Sequence, residues 1–167
     1  MRLQIKESKA KTVAFSGIIT ALALIFSYVE SLIPFSFGIP GIRLGLANLV
    51  KVSALYYLSP VNVLTILVLR ILISGFMFGN MYVIIYSLAG GLLSFAFMLL
   101  FKKLDFLSRF GVSIIGGVTH NIGQVIVASF ILSNVAILSY LPVLIVAGTV
   151  SGFLIGIVSE KIGDGPF

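Results

Sequence analysis

The most constraining feature of this sequence is a succession of long apolar runs, separated by short segments that contain proline, glycine or charged residues. Hydrophobic residues make up 59% of the chain and charged residues 10%, whereas a soluble domain carries about 25% charged residues. A helix needs about 20 apolar residues to cross a bilayer. The runs therefore predict an all-α membrane protein, a six-helix bundle in one transmembrane domain over residues 1–167, with spans at about 12–33, 42–58, 61–77, 81–101, 110–132 and 138–159.

The basic residues predict the orientation of these helices. Four of them precede the first span, Lys102, Lys103 and Arg109 lie between the fourth and fifth, and Lys161 follows the sixth. Six spans place these three regions on one side, which the positive-inside rule identifies as the cytoplasm. We therefore expect both termini on the cytoplasmic side of the cell membrane, with Arg43 near the outer face.

The sequence lacks the motifs of most enzymes. No G-x-x-x-x-G-K-[ST] motif is present to bind ATP phosphates, and Asp105 and Asp164 are too far apart in sequence to predict a magnesium-binding pair. Cysteine is absent and His120 is the single histidine, so we expect neither a metal site nor haem. The net charge of +6 is concentrated at helix ends, which indicates topology rather than a nucleic-acid partner.

Charged residues within the spans need an explanation, because each costs at least about 2.5–3.5 kcal/mol on insertion scales. Glu30, Arg43, Lys51 and Arg70 are such residues. In a purely structural interpretation, Glu30 forms an ion pair with Arg43 or with Arg70. In the functional alternative the surplus positive charge receives an anionic ligand group, since arginine binds carboxylate or phosphate with two hydrogen bonds. For Lys51 we predict that the amine snorkels toward the cytoplasm.

Neutral polar residues form a stripe on the fifth span. His120 and Gln124 share a helix face, and Asn121 lies beside them. Interhelical hydrogen bonding, worth about 0.6 kcal/mol on average, would explain the stripe without a ligand. The alternative is a cavity in the outer half of the bundle, under the loop at 34–41. The candidate ligand-binding residues are then Glu30, Arg43, Asn48, Arg70, His120, Asn121 and Gln124.

Small residues recur at helix-packing spacing on the first span, at Ala10, Ala14 and Gly17. Small side chains let helix backbones approach closely in lipid. The stripe therefore predicts either packing within the bundle or docking of another membrane protein.

Five stretches of sequence resemble one family: 21–34, 38–49, 69–75, 86–91 and 116–124. Among them are Gly-Ile-Pro-Gly-Ile-Arg-Leu-Gly-Leu-Ala-Asn-Leu and Gly-Gly-Val-Thr-His-Asn-Ile-Gly-Gln. The family is the Gx transporter family, which is also labelled heptaprenyl diphosphate synthase component I. The resemblance extends over nearly the whole chain.

The resemblance implies a fold similar to the substrate-binding S component of energy-coupling-factor (ECF) transporters. Such proteins bind a small molecule near the outer face and dock on a coupling protein powered by two ATPases. Ala10, Ala14 and Gly17 match the docking face. We expect a vitamin-like, quinone- or prenyl-related ligand and no cofactor. One alternative is a membrane subunit of a quinone- or flavin-linked extracellular electron-transfer system, with bound flavin or quinone. Another is a non-catalytic subunit of heptaprenyl diphosphate or menaquinone synthesis.

Overall fold

The computed structural model describes residues 9–32, 47–105 and 107–163. These residues form helices joined by short turns, and they include no strand. The α-helices are α1 (Lys9–Leu32), α2 (Asn48–Tyr57), α3 (Pro60–Phe78), α4 (Met81–Leu104), α5 (Arg109–Ile131) and α6 (Leu141–Gly163), with a 3-10 helix at Val135–Tyr140.

Polar side chains define where the central helices begin. The side chains of Ser59, Asn80 and Ser108 each accept a hydrogen bond from the backbone N–H three residues later, at the starts of α3, α4 and α5. Such caps satisfy a donor that the first helical turn leaves unpaired. Pro60 adds a ring whose fixed φ suits the first turn. These local signals explain why the three helices start within about one residue of the predicted positions.

The ends of α4 and the start of α6 differ from the prediction. α4 continues to Leu104, and its last turn contains Lys102 and Lys103, whose charges suit the negative end of the helix dipole. It stops where Asp105 takes a left-handed conformation with φ 51°. Residues 138–140 belong to the 3-10 helix, and α6 starts at Leu141 because Pro142 favours the first turn of a new α-helix.

Five helical segments are long and apolar enough to cross a membrane: Ala10–Leu32, Pro60–Phe78, Met81–Leu104, Arg109–Ile131 and Val135–Lys161. The prediction of a helical membrane protein with several spans is thus confirmed for the described residues. The ten residues of α2 extend only about 15 Å. The predicted second span begins at residue 42, and its first part lies outside the described residues. The number of six spans and the cytoplasmic location of both termini therefore remain predictions.

Glycines bring α5 and α6 into close contact. A Cβ atom at Gly148 would lie 2.7 Å from the Gly117 oxygen, and one at Gly152 would lie 2.7 Å from the Ile114 Cα. The Ser113 hydroxyl donates a 2.8 Å hydrogen bond to the Gly152 oxygen across the same contact. Gly148 and Gly152 of α6 thus pack inside the bundle, where glycine allows the two backbones to touch.

α1 lies at the edge of the bundle and packs against α3 and α2. Its buried face contains Ala23, Ser27 and Glu30, whereas most of its other described residues are exposed. The spacing of these three residues matches one face of a helix. α1 consequently contributes both of its buried polar side chains to the side that faces α2 and α3.

Candidate functional site

The interior of the bundle contains polar side chains from all six α-helices, although the helices themselves are apolar. Lipid cannot hydrogen-bond to such groups, so they are retained in a membrane protein only where other polar atoms meet them. The buried polar residues among those that the structure describes are Ser27, Glu30, Asn48, Lys51, Arg70, Ser74, Ser87, Ser94, Ser113, His120, Asn121, Gln124 and Ser159.

Lys51 points into this interior. Its side chain is 5% exposed, and its amine donates a 2.7 Å hydrogen bond to the hydroxyl of Ser94. The Ser94 hydroxyl donates in turn to the Gly116 oxygen at 2.8 Å, so one chain of hydrogen bonds joins α2, α4 and α5. The prediction that Lys51 snorkels to the cytoplasm is wrong, because α4 places a hydroxyl within reach of the amine inside the bundle. Lys51 is the charged residue of the described interior that the predicted ligand-binding set lacks.

Arg70 and Lys51 line the same cavity. Arg70 is 8% exposed, and its Nη1 donates a 3.4 Å hydrogen bond to the Ser27 hydroxyl on α1. The cavity lies between α1, α2 and α3, and its volume of about 10 Å³ is enough for roughly one water molecule. The remaining lining is apolar: Ala23, Ala47, Val50, Ala54, Val63, Ile66 and Leu67. Two basic residues therefore contribute to the lining of one small, mainly apolar cavity.

His120 and Gln124 pack against Gly90 of α4. A Cβ atom at Gly90 would lie 3.0 Å from the His120 Nδ1 and 2.8 Å from the Gln124 Cγ. A larger residue at position 90 would therefore clash with both side chains. The Gln124 side chain is fully buried, and within the described chain neither its amide nitrogen nor its amide oxygen has a hydrogen-bond partner. The same holds for His120 Nδ1 and for Asn48 Oδ1.

Asn121 faces α6. Its amide nitrogen donates a 2.7 Å hydrogen bond to the Leu144 oxygen, and its side chain is 3% exposed. This is the interhelical hydrogen bond that the structural interpretation of the α5 stripe describes. It satisfies the Asn121 amide nitrogen but not the neighbouring Gln124 amide. Within the stripe, Asn121 therefore serves helix packing, whereas Gln124 has unsatisfied polar atoms.

The structure brings most of the candidate ligand-binding residues into one interior. The charges of Lys51 and Arg70 act on each other and on His120, which places α2, α3 and α5 around the same polar region. Glu30 is buried on the α1 face that carries Ser27, one turn further along the helix. Arg43 and the loop at 34–41 lie outside the described residues. Their predicted contribution, including a Glu30–Arg43 ion pair, stays a prediction.

Apolar helices that enclose polar side chains make this chain a multi-pass helical membrane protein with a candidate binding region in its interior. The chain belongs to the heptaprenyl diphosphate synthase component I family, whose family model matches residues 19–162. That match includes every buried polar residue named above. No curated protein and no solved structure matches the chain.

Proposed function

We propose that this chain is the substrate-binding membrane component of an ECF-type transporter for a small vitamin-like, quinone- or prenyl-related molecule. The observation that carries the proposal is the Gln124 amide, which is fully buried while both of its polar atoms lack a partner in the described chain. A buried polar group without a partner costs about 1–3 kcal/mol. A ligand that hydrogen-bonds to this amide would remove that cost.

The neighbouring polar atoms define what such a ligand offers. Gln124 and Asn48 each present an amide, and His120 presents a ring nitrogen, so together they can both donate and accept hydrogen bonds. Carbonyl, hydroxyl and ring-nitrogen groups suit this set. We place the ligand in the outer half of the bundle, where Arg43 and the loop at 34–41 would cover it.

The exposed face of α1 supports the transporter part of the proposal. Ala10, Ala14 and Gly17 are exposed, and a Cβ atom at Gly17 would meet nothing within 4 Å. Internal packing therefore does not use this stripe, because α1 packs against α2 and α3 through a different face. We propose that the stripe docks on a membrane coupling protein that two ATPases drive, since small residues permit close helix approach in lipid.

A second candidate function follows from the description of the family, heptaprenyl diphosphate synthase component I. The chain would then be a non-catalytic membrane subunit that associates with a soluble prenyl diphosphate synthase. Its sequence has no aspartate pair for magnesium diphosphate, so the catalytic residues would belong to the partner.

Purification of the tagged full chain from native membranes tests both proposals. The transporter proposal expects a membrane coupling protein and two ATPases to co-purify, together with a small molecule that mass spectrometry detects after extraction. Recovery of a soluble prenyl synthase instead would support the second candidate. An electron-transfer subunit would be indicated by bound flavin or quinone with redox partners and without ATPases, which would refute the transporter proposal.

A further inference from the structure

The positive charges between α1 and α4 outnumber the negative ones. Between residues 12 and 101 the sequence has three basic residues, Arg43, Lys51 and Arg70, and one acidic residue, Glu30. A single carboxylate cannot neutralise all three, whichever of them it pairs with. Charge of one sign inside the membrane is expensive, and it marks an ion or ligand path by default.

Lys51 is the residue at which this excess charge has its clearest consequence. Its amine is buried and bonds to a neutral hydroxyl, Ser94, and it makes no ion pair with any residue in the part of the chain that the structure describes. Arg70 lines the same cavity, and its charge acts on Lys51. Two like charges facing a low-dielectric space repel each other, whereas an anion between them would be attracted to both.

A second observation places other ligand-facing atoms beside Lys51. Asn48 lies three residues earlier on α2, is 4% exposed, and has an Oδ1 atom without a partner among the described residues. Residues three apart share a helix face. His120 Nδ1 also lacks a hydrogen-bond partner among the described side chains. The charges of Lys51 and Arg70 both act on the His120 ring. The cations thus belong to the same polar interior as the unsatisfied neutral groups.

We propose that Lys51 and Arg70 form an anion subsite that holds the carboxylate of an organic ligand in the cavity between α1, α2 and α3. The inference rests on the proposed ligand-binding function and adds the chemical class of the ligand. The volume selects the class: a cavity of about 10 Å³ admits one oxygen-sized group. The remainder of either anion has to displace apolar lining residues, and a planar carboxylate displaces fewer of them than a diphosphate does.

The test measures thermal unfolding of the purified full chain in detergent, with sodium acetate, inorganic phosphate or sodium diphosphate added at constant ionic strength and sodium chloride as the reference. We expect acetate to raise the unfolding temperature above the chloride reference, and to do so more than phosphate or diphosphate. Lys51→Met should raise the acetate concentration for half of this effect at least tenfold. Lys103→Met is the matched control: it removes an exposed cation from α4 and should respond as the unaltered chain does.

Two further variants keep the test decisive. Lys51→Gln retains a donor of similar length if Lys51→Met does not fold, and it should lose the response equally. Ser94→Ala leaves the cation and removes its hydroxyl partner, so its response to acetate should persist.

A response that Lys51 variants retain, or no acetate effect beyond chloride, would overturn the subsite. A larger effect of phosphate or diphosphate would overturn the carboxylate assignment. The outcome is independent of whether ATPases co-purify, so failure of the transporter proposal and failure of this subsite are distinguishable.

Discussion

Replacing Gly148 with alanine tests whether the α5–α6 contact holds the bundle together. The added Cβ would lie 2.7 Å from the Gly117 oxygen and 3.0 Å from the Asn121 Nδ2, where ordinary contacts begin at 3.4 Å. The obstacle at Gly117 is backbone, which cannot rotate away, so the helices must separate by about 0.7 Å. A gap of that size also weakens the hydrogen bond from Asn121 to the Leu144 oxygen.

The expected loss of stability follows from these contacts. Overpacking costs about 1–3 kcal/mol, the weakened interhelical hydrogen bond adds up to about 0.6 kcal/mol, and the better helix propensity of alanine returns at most about 1 kcal/mol. The midpoints of these contributions give an expected loss of about 2 kcal/mol in the free energy of unfolding for Gly148→Ala. Reversible unfolding in mixed detergent micelles, followed by circular dichroism, measures it.

Gly17→Ala is the matched control, because it makes the same chemical change in a helix where a Cβ atom meets nothing within 4 Å. We expect its stability to equal or exceed that of the unaltered chain. Equal stability of Gly148→Ala and the unaltered chain would refute the close α5–α6 contact. An equal loss in both variants would show that glycine matters through the helix backbone instead.

The remaining predictions concern topology, docking and the polar interior. A cysteine at Asn134 should react with an impermeant thiol reagent added outside the cell, and one at Ser108 should not; the reverse labelling would refute the orientation. Ala14→Leu and Gly17→Val should each reduce recovery of a coupling protein while leaving the ligand content of the isolated chain unchanged; unaltered assembly would refute the docking face. Gln124→Leu should reduce the amount of co-purified small molecule at least tenfold without lowering the unfolding temperature, because the amide it removes makes no hydrogen bond in the described chain; a full ligand content would show that the amide does not contact the ligand.

The sequence predicts those parts of the fold that local interactions determine. Ser59, Asn80 and Ser108 cap their helices through atoms three residues away, so the starts of α3, α4 and α5 can be predicted from neighbours in the chain. Apolar length likewise predicts membrane helices without reference to any partner. The predicted start of α6 is too early. Asn134 caps a 3-10 helix at Val135–Tyr140, which the apolar run does not distinguish from the α-helix that follows.

The direction of Lys51 could not be predicted in this way. Its partner Ser94 is 43 residues later in the chain, and the apolar stretches of α2 and α4 do not specify which of their faces meet. The same limit applies to Asn121, whose bond to the Leu144 oxygen depends on the register of α5 against α6. Glycine pairs that meet across helices, such as Gly117 and Gly148, are likewise determined only by the folded arrangement.

The bundle divides into two parts that satisfy their polar groups differently. Between α5 and α6, backbone oxygens accept from Ser113 and Asn121, and glycines leave no space. Between α1, α2 and α3 a cavity remains, and its two cationic groups bond to hydroxyls. Stability should therefore depend mainly on the α5–α6 contact, and ligand response on Lys51. The chain can therefore retain an unsatisfied interior for a ligand while the glycine-packed contact between α5 and α6 keeps it folded.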